Sequence, residues 1–389
     1  MKWVARLASV GLLLLSGCGN FFSSQNGGGG GGNTNADDVL YFLNTGTANN
    51  ISAYSVSTTG VLSALSGSPY AVGVVPTSMA ITPGNTYLYV GGATGILGYS
   101  VSTTGQLTAL NSSAPLATDV LAPQSMVVDA TGTYLLTSGI DLSTNIGAPQ
   151  IYEYQIDAST GKLTLATGFP FAVANGNGST STNPGNSPTQ LYLAPNNQFL
   201  YLTLASGGTE LLGFVPSNGT VNDLLKHINL TTNGTAQINV IANANSSVLY
   251  VTETGVGVRA FPLNTDGSTG TELSASPFKT GTGATALSFD TTGDYLYITN
   301  KGDNTISGYS VASSGALTAL ASSPFTSGGT LPLSLTLDKT KDFLAVANSG
   351  GNANLATFSF DATTGGKLDA VTNTVGTTAT GTNLVIGTH

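Results

Sequence analysis

Asp290 to Phe325 reads DTTGDYLYITNKGDNTISGYSVASSGALTALASSPF. A tight turn at Thr292-Gly293-Asp294 leads into an apolar-alternating run, Tyr295 to Ile298. A Gly/Asn loop follows, then a second run marked by Ile306, Tyr309 and Val311. Ser313-Ser314-Gly315 turns the chain again, Leu317 to Leu320 forms a third run, and Ser323-Pro324-Phe325 ends it. Period-two alternation between Gly, Asn, Asp and Ser clusters predicts short antiparallel strands. Such a unit cannot bury its apolar surface alone, so its recurrence along the chain decides the fold.

It recurs throughout. Aligned strand starts fall at Val39, Tyr87, Tyr134, Phe199, Val248, Tyr295 and Phe343, with steps of 48, 47, 65, 49, 47 and 48 residues. A Gly-closed turn precedes the third run at Thr59-Gly60, Thr104-Gly105, Thr160-Gly161, Asn218-Gly219, Asp266-Gly267, Ser314-Gly315 and Thr364-Gly365. Glycine there suits the positive φ of a tight hairpin. A proline pair ends the third run at Pro69-Tyr70, Pro115-Leu116, Pro170-Phe171, Pro277-Phe278 and Pro324-Phe325. A fourth strand is predicted before each next unit: 78–82, 125–129, 190–194, 237–242, 286–290, 334–338 and 383–387.

Four short strands per unit of about 45 residues is the pattern of a propeller blade. The predicted fold is all-β: a seven-bladed β-propeller with four antiparallel strands per blade. The phase of the repeat predicts the closure. The chain enters at the second strand of a blade and ends on an innermost strand, so the C-terminal strand should pair with the N-terminal blade and remove two edges.

The propeller is expected over residues 39–389. Ahead of it, Lys2 and Arg6 form a short basic region and Leu7 to Leu15 a short apolar run. That run is too short to span a bilayer. Leu15-Ser16-Gly17-Cys18 then resembles the lipobox of a bacterial lipoprotein signal peptide. The resemblance implies a signal peptide over 1–17, cleavage before Cys18 and lipidation of Cys18; an ordinary secretory signal is the alternative. Gly19 rather than Asp after the cysteine points to the outer membrane of the cell envelope. Residues 18–38 include six consecutive glycines, Gly27 to Gly32. They read as a flexible tether with a reach of roughly 25 Å for about twenty residues. The membrane, through this anchor, is one expected partner.

Composition narrows the function. Charged residues make up 7% of the chain and the net charge is -9. Removal of Lys2 and Arg6 leaves 8 of the 10 basic residues against 19 acidic ones, a net charge of -11. With no Lys/Arg cluster to replace phosphate counterions, nucleic acid is not an expected partner. Anionic substrates gain no steering either. Cys18 is the one cysteine, so no intrachain disulfide is possible. No cofactor is implied, and a monomer is the expected state.

The repeat, with LYV-type strands, a Gly/Asn loop and an I-x-x-Y-x-V run, resembles the seven-bladed lactonase propellers. These include the 6-phosphogluconolactonase type and the YVTN-repeat surface proteins. Tyr295 to Asn300, YLYITN, stands at the YVTN-like strand; Tyr87 to Val90 and Val248 to Thr252 match less completely. The resemblance covers Val39 to His389.

For 6-phosphogluconolactonase-type enzymes, the resemblance implies a Gly-Pro-Arg-His run at the start of an inner strand. The corresponding residues here are Ser78, Ser125, Gln190, Gln237, Ser334 and Asn383, with Thr285-Ala286 in the sixth unit. They make a candidate binding ring of hydroxyls and amides with neither Arg nor His. Glu253, expected in a loop beside this ring, and Arg259 are the charged candidates for catalysis. His227 falls on a predicted outer strand and His389 is the last residue. No histidine metal site is therefore expected. Asp129, Asp290 and Asp338 recur after the inner strand; they read as turn closers, with oxygen ligands for calcium as the alternative.

The third unit carries two insertions, 139–149 and 174–188, which read as idle surface loops or as binding elements. The expectation is a cell-envelope scaffold that binds a glycan or protein ligand. A lactonase acting on a sugar lactone is the alternative, and an inert spacer the third reading.

Overall fold

The computed structural model describes residues 38–45, 48–120, 122–140, 149–173, 187–205, 208–215, 218–228, 237–338, 340–351, 353–371 and 384–388. The expected signal peptide, Cys18 and all of the tether but Asp38 lie outside these residues, as do most of both insertions, Asn383 and His389.

The strands form seven antiparallel sheets, the blades of a propeller. Inner strands are Pro76–Ile81, Ser125–Val128, Pro188–Leu193, Gln237–Ala242, Ala284–Phe289 and Thr330–Leu337 in blades 2 to 7. Leu384–Thr388 is the inner strand of blade 1. It pairs with Val39–Asn44 in the register Val39 to Thr388 through Leu43 to Leu384. The ring closes as expected, on a strand from the far end of the chain. In blade 5 the outer position is held by isolated bridges, Leu263 to Thr269 and Val258 to Phe278. Among the described residues, Leu110–Ser113 is the one helical turn, of 3-10 type. The peptide bonds before Pro69, Pro170, Pro277 and Pro324 are cis.

The second strands depart from simple alternation. Every residue of Val39–Asn44, Tyr87–Gly92 and Val248–Glu253 is buried. A blade sits between two others, so neither face meets water, and both sets of alternate side chains become core. Seven buried clusters result, one at each joint between neighbouring blades. Val39, Tyr41 and Leu43 pack toward blade 2, while Leu40 and Phe42 pack toward blade 7.

A hydroxyl ties most joints. The third residue of the second strand is a tyrosine in five blades, and its O–H donates to a glycine carbonyl in the third-to-fourth-strand turn of the next blade. The pairs are Tyr41 to Gly105 at 2.6 Å, Tyr89 to Gly161 at 2.9 Å, Tyr201 to Gly267 at 2.8 Å, Tyr250 to Gly315 at 2.9 Å and Tyr297 to Gly366 at 2.9 Å. At the blade 7 to blade 1 joint, Thr357 Oγ1 donates to the Gly60 carbonyl at 2.8 Å. The turns need glycine for two reasons. Gly267 has φ +77, and an added Cβ would lie 2.5 Å from the Phe199 ring.

The recurring aspartates close turns. Asp129 Oδ1 accepts the N–H groups of Thr133 and Tyr134 at 2.8 and 2.7 Å. Asp290 Oδ1 accepts from Tyr295 at 2.9 Å, and Asp338 Oδ1 from Phe343 at 2.8 Å. Asn243 and Thr82 take the same place in blades 5 and 2. His227 lies on the outer strand Thr220–Ile228 of blade 4, opposite Glu210 in register.

Candidate functional site

Antiparallel pairing brings the starts of the inner strands and the ends of the second strands to one end of the ring. Pro76 pairs with Gly92, Gln237 with Glu253 and Ala284 with Asn300. Both insertions of the third unit leave the ring at this same end. The first follows Ile140, which pairs with Pro149; the second leads into Pro188, which pairs with Leu204. The candidate ring, Glu253 and the flanks of both insertions therefore share one face of the propeller.

The inner strands open irregularly. The register shifts by one residue between Pro76 and Ser78, Pro188 and Gln190, Gln237 and Asn239, Ala284 and Leu287, and Pro332 and Ser334. A bulge leaves one residue unpaired and re-aims its neighbours. Thr77, Thr189 and the Thr285-Ala286 step occupy these places in blades 2, 4 and 6.

Their hydroxyls bridge from blade to blade. Thr77 Oγ1 and Ser78 Oγ both donate to the Pro123 carbonyl at 2.7 Å. Thr189 Oγ1 lies 2.9 Å from the Gln237 carbonyl and 2.7 Å from Thr203 Oγ1, and Thr285 Oγ1 lies 3.2 Å from the Pro332 carbonyl and 2.8 Å from Thr299 Oγ1. Thr252 Oγ1, one strand out, donates to the Thr285 carbonyl at 3.2 Å. Each donor is engaged, but a hydroxyl that donates once keeps lone pairs for accepting. Thr77, Thr189 and Thr285 are half-buried and keep part of their surface. The ring can thus accept hydrogen bonds from a polyhydroxylated ligand.

The ring residues expected from the sequence divide by environment. Ser78 and Gln237 are buried. Thr209 Oγ1 donates to Gln237 Oε1. Gln190 Oε1 accepts the Val240 N–H at 2.5 Å across the joint to blade 5. Ser125 and Ser334 are half-buried, and Ser125 Oγ lies 3.5 Å from the Leu191 carbonyl. Asn383 lies outside the described residues. Of the three threonines beside these positions, the sequence reading includes Thr285, whereas Thr77 and Thr189 are not among its candidates. The signal for two of them is the Pro-Thr step at Pro76-Thr77 and Pro188-Thr189.

Glu253 is not in a loop but ends the strand Val248–Glu253, fully buried. Arg259 Nε donates to Glu253 Oε2 at 2.5 Å. Arg259 NH1 reaches both carboxyl oxygens of Glu272, at 3.0 and 2.9 Å. Burial alone would lower the Arg259 guanidinium, but the two carboxylates outweigh it and raise it. Glu272 in turn accepts from Ser276 Oγ at 2.6 Å, and Ser276 Oγ accepts the Ala260 N–H at 3.1 Å. The two charged candidates are thus brought together as an ion pair that braces blade 5 directly behind Gln237. Among the described residues, no group of three or more His, Cys, Asp or Glu side chains is placed to hold a metal ion.

Comparison with known proteins agrees with the fold. Residues 40–382 match the family described as lactonase, 7-bladed beta-propeller. No curated protein sequence matches the chain. A Pseudomonas aeruginosa periplasmic gluconolactonase superposes with a TM-score of 0.68 at 17% identity, covering 89% of this chain and 98% of its own. A putative 6-phosphogluconolactonase from Bacteroides fragilis gives 0.70 at 15% identity, covering 92% and 99%. One from Bacteroides uniformis gives 0.68 at 16%, covering 90% and 100%. At these identities the likeness is one of fold, whereas the family match spans nearly the whole propeller: the chain belongs to the seven-bladed β-propeller lactonase family.

Proposed function

We propose that this protein hydrolyses a neutral sugar lactone, bound at the end of the ring where the inner strands begin. The observation that carries the reading is the half-buried threonine ring, Thr77, Thr189 and Thr285, whose donors are engaged and whose lone pairs remain. Such a surface suits the many O–H donors of an uncharged sugar. The three threonines themselves carry no charge for a phosphorylated one, and the net charge of -9 opposes an anion. Membership of the lactonase family supports the same reaction class, and the Pseudomonas structure is described as a periplasmic gluconolactonase. Opening the ring requires water to attack the lactone carbonyl while the developing oxyanion is stabilised. No residue is assigned to either role.

A second reading is a binding scaffold for a glycan or protein. The closed Glu253–Arg259 pair favours it, because neither group is free to act as a base or an oxyanion donor. We further propose lipid anchoring at Cys18 in the cell envelope, on the strength of Leu15-Ser16-Gly17-Cys18.

The test is a hydrolysis assay of the soluble domain with glucono-lactone and with its 6-phosphate. Turnover of the neutral lactone in preference to the phosphorylated one is the expected result. No turnover, with saturable glycan binding, moves the assignment to the scaffold. For the anchor, Cys18→Ala should release the protein from the membrane fraction; unchanged partition overturns it.

A further inference from the structure

One joint lacks the hydroxyl that ties the others. In blade 3 the third residue of the second strand is Leu136, at the position held by Tyr41, Tyr89, Tyr201, Tyr250 and Tyr297. Blade 7 also departs, with Ala345, and makes good the loss across the ladder. Thr357 pairs directly opposite Ala345 and supplies the O–H to Gly60. Blade 3 has the same swap with a different group: the residue opposite Leu136 is Glu153. Residues directly opposite in an antiparallel pair share a face. Where tyrosine holds the position, its opposite number is small in four blades: Ala53, Gly98, Ala260 and Gly308.

The Glu153 carboxyl reaches the matching turn of the next blade. Gly219, in the third-to-fourth-strand turn of blade 4, has φ +66, and a Cβ there would lie 2.3 Å from Glu153 Oε1. Glu153 is fully buried, and neither carboxyl oxygen has a hydrogen-bond partner. A carboxylate only accepts hydrogen bonds, so it cannot satisfy a glycine carbonyl; a carboxylic acid can donate one. We propose that Glu153 is a proton-dependent latch. Protonated, its O–H takes the place of the tyrosine hydroxyl and closes the blade 3 to blade 4 joint on the Gly219 turn. Ionised, it cannot donate, and this joint loosens.

The surroundings favour the acid form. Burial, and secondarily the charge of Asp129, push the Glu153 carboxyl up from 4.5 to about 8. Asp129 comes from the inner-strand turn of the same blade, and the Tyr134 ring packs on the same glycine. From blade 4 the turn offers Asn218, Gly219 and Thr220, all uncharged. Asp223, Lys226 and His227 follow on its outer strand, opposite Leu212, Leu211 and Glu210 in register. A cleft of about 470 Å³ adjoins the joint, lined by Glu153 itself and by Tyr134, Gln155, Phe169, Asn218 and Thr220 among others. It lies toward the end of the ring opposite the candidate site. A carboxyl raised in the folded state stabilises the fold fully below its unfolded value and loses that contribution as pH rises through its folded value. The latch therefore holds in mild acid and weakens between about pH 5 and about pH 8.

The experiment is the thermal midpoint of the soluble domain from about pH 5 to about pH 9, for the natural sequence, Glu153→Gln and Leu136→Tyr/Glu153→Ala. The amide and the restored tyrosine can both donate at any pH. The natural protein should lose several degrees across the window, and both variants should lose less and exceed it at the alkaline end. Parallel profiles for all three overturn the latch. Should the variants fail to fold, the four glutamates, Glu153, Glu210, Glu253 and Glu272, allow a direct reading by carboxyl-carbon labelling. One signal titrating well above neutrality supports the proposal, and four titrating in the ordinary carboxylate range overturn it.

Discussion

Tyr41 and Ile386 stand opposite each other in one antiparallel ladder, joining the first described strand to the last. This ladder is what makes the propeller a ring. Without it, Val39–Asn44 loses its inner neighbour and exposes an unpaired edge whose side chains are otherwise fully buried. Exposed edges of this kind template aggregation. Deleting residues 382–389 is therefore expected to abolish cooperative unfolding and send the protein to the insoluble fraction. Circular dichroism melts and soluble yield check this, and a soluble, fully folded deletion mutant refutes the closure as the stabilising joint.

The tyrosine ties between blades have a separable energy. Tyr250→Phe keeps the ring but strands the buried Gly315 carbonyl. Loss of such a bond is expected to cost about 1–2 kcal/mol. Tyr70→Phe is the matched control, because the Tyr70 hydroxyl donates to Ser66 in an exposed turn. That change should stay within about 0.5 kcal/mol. Urea denaturation of the two variants measures the difference, and equal costs would show that the joint hydroxyls carry no special weight.

The repeat makes the ring legible in the sequence, because each unit carries its own Gly turn and its own strand spacing. Closure was legible too, since the phase of the first and last units implies it. What stayed hidden depends on neighbours across the ladder. Glu153 is an ordinary polar residue in IYEYQI until Leu136 is seen opposite it and Gly219 against it. Glu253 reads as a loop residue in the sequence because its burial at the end of Val248–Glu253 depends on Arg259, six residues on in the next strand. The places of Thr77 and Thr189 stay hidden behind a one-residue shift in register, which sequence spacing alone does not reveal.

The glycines of the third-to-fourth-strand turns combine two demands that a pair of variants can separate. Gly267→Ala meets both a φ of +77 and the Phe199 ring, 2.5 Å from the new methyl. Gly293→Ala, in a turn at the same end, meets a φ of +78 but nothing within 4 Å. The second should cost about 1 kcal/mol from backbone strain alone. The first should cost about 1–3 kcal/mol more, from forcing the blade 4 to blade 5 joint apart. Denaturant midpoints distinguish the two, and similar losses would show that the joint absorbs a methyl freely.

The Glu253–Arg259 pair yields the sharpest separation between structure and catalysis. Arg259→Ala leaves a fully buried carboxylate and the half-exposed Glu272 without their shared cation. Breaking a buried pair from one side is expected to cost about 3–5 kcal/mol. Replacing both sides together, Glu253→Gln with Arg259→Met, should cost less than Arg259→Ala alone, because no buried charge is stranded. If the pair only braces blade 5, lactone turnover per folded molecule stays constant across the series while stability moves. If kcat falls in the double variant under conditions where it remains folded, the pair takes part in the reaction itself. In that case at least one member of the pair acts on substrate, and Glu253 and Arg259 must part when it binds.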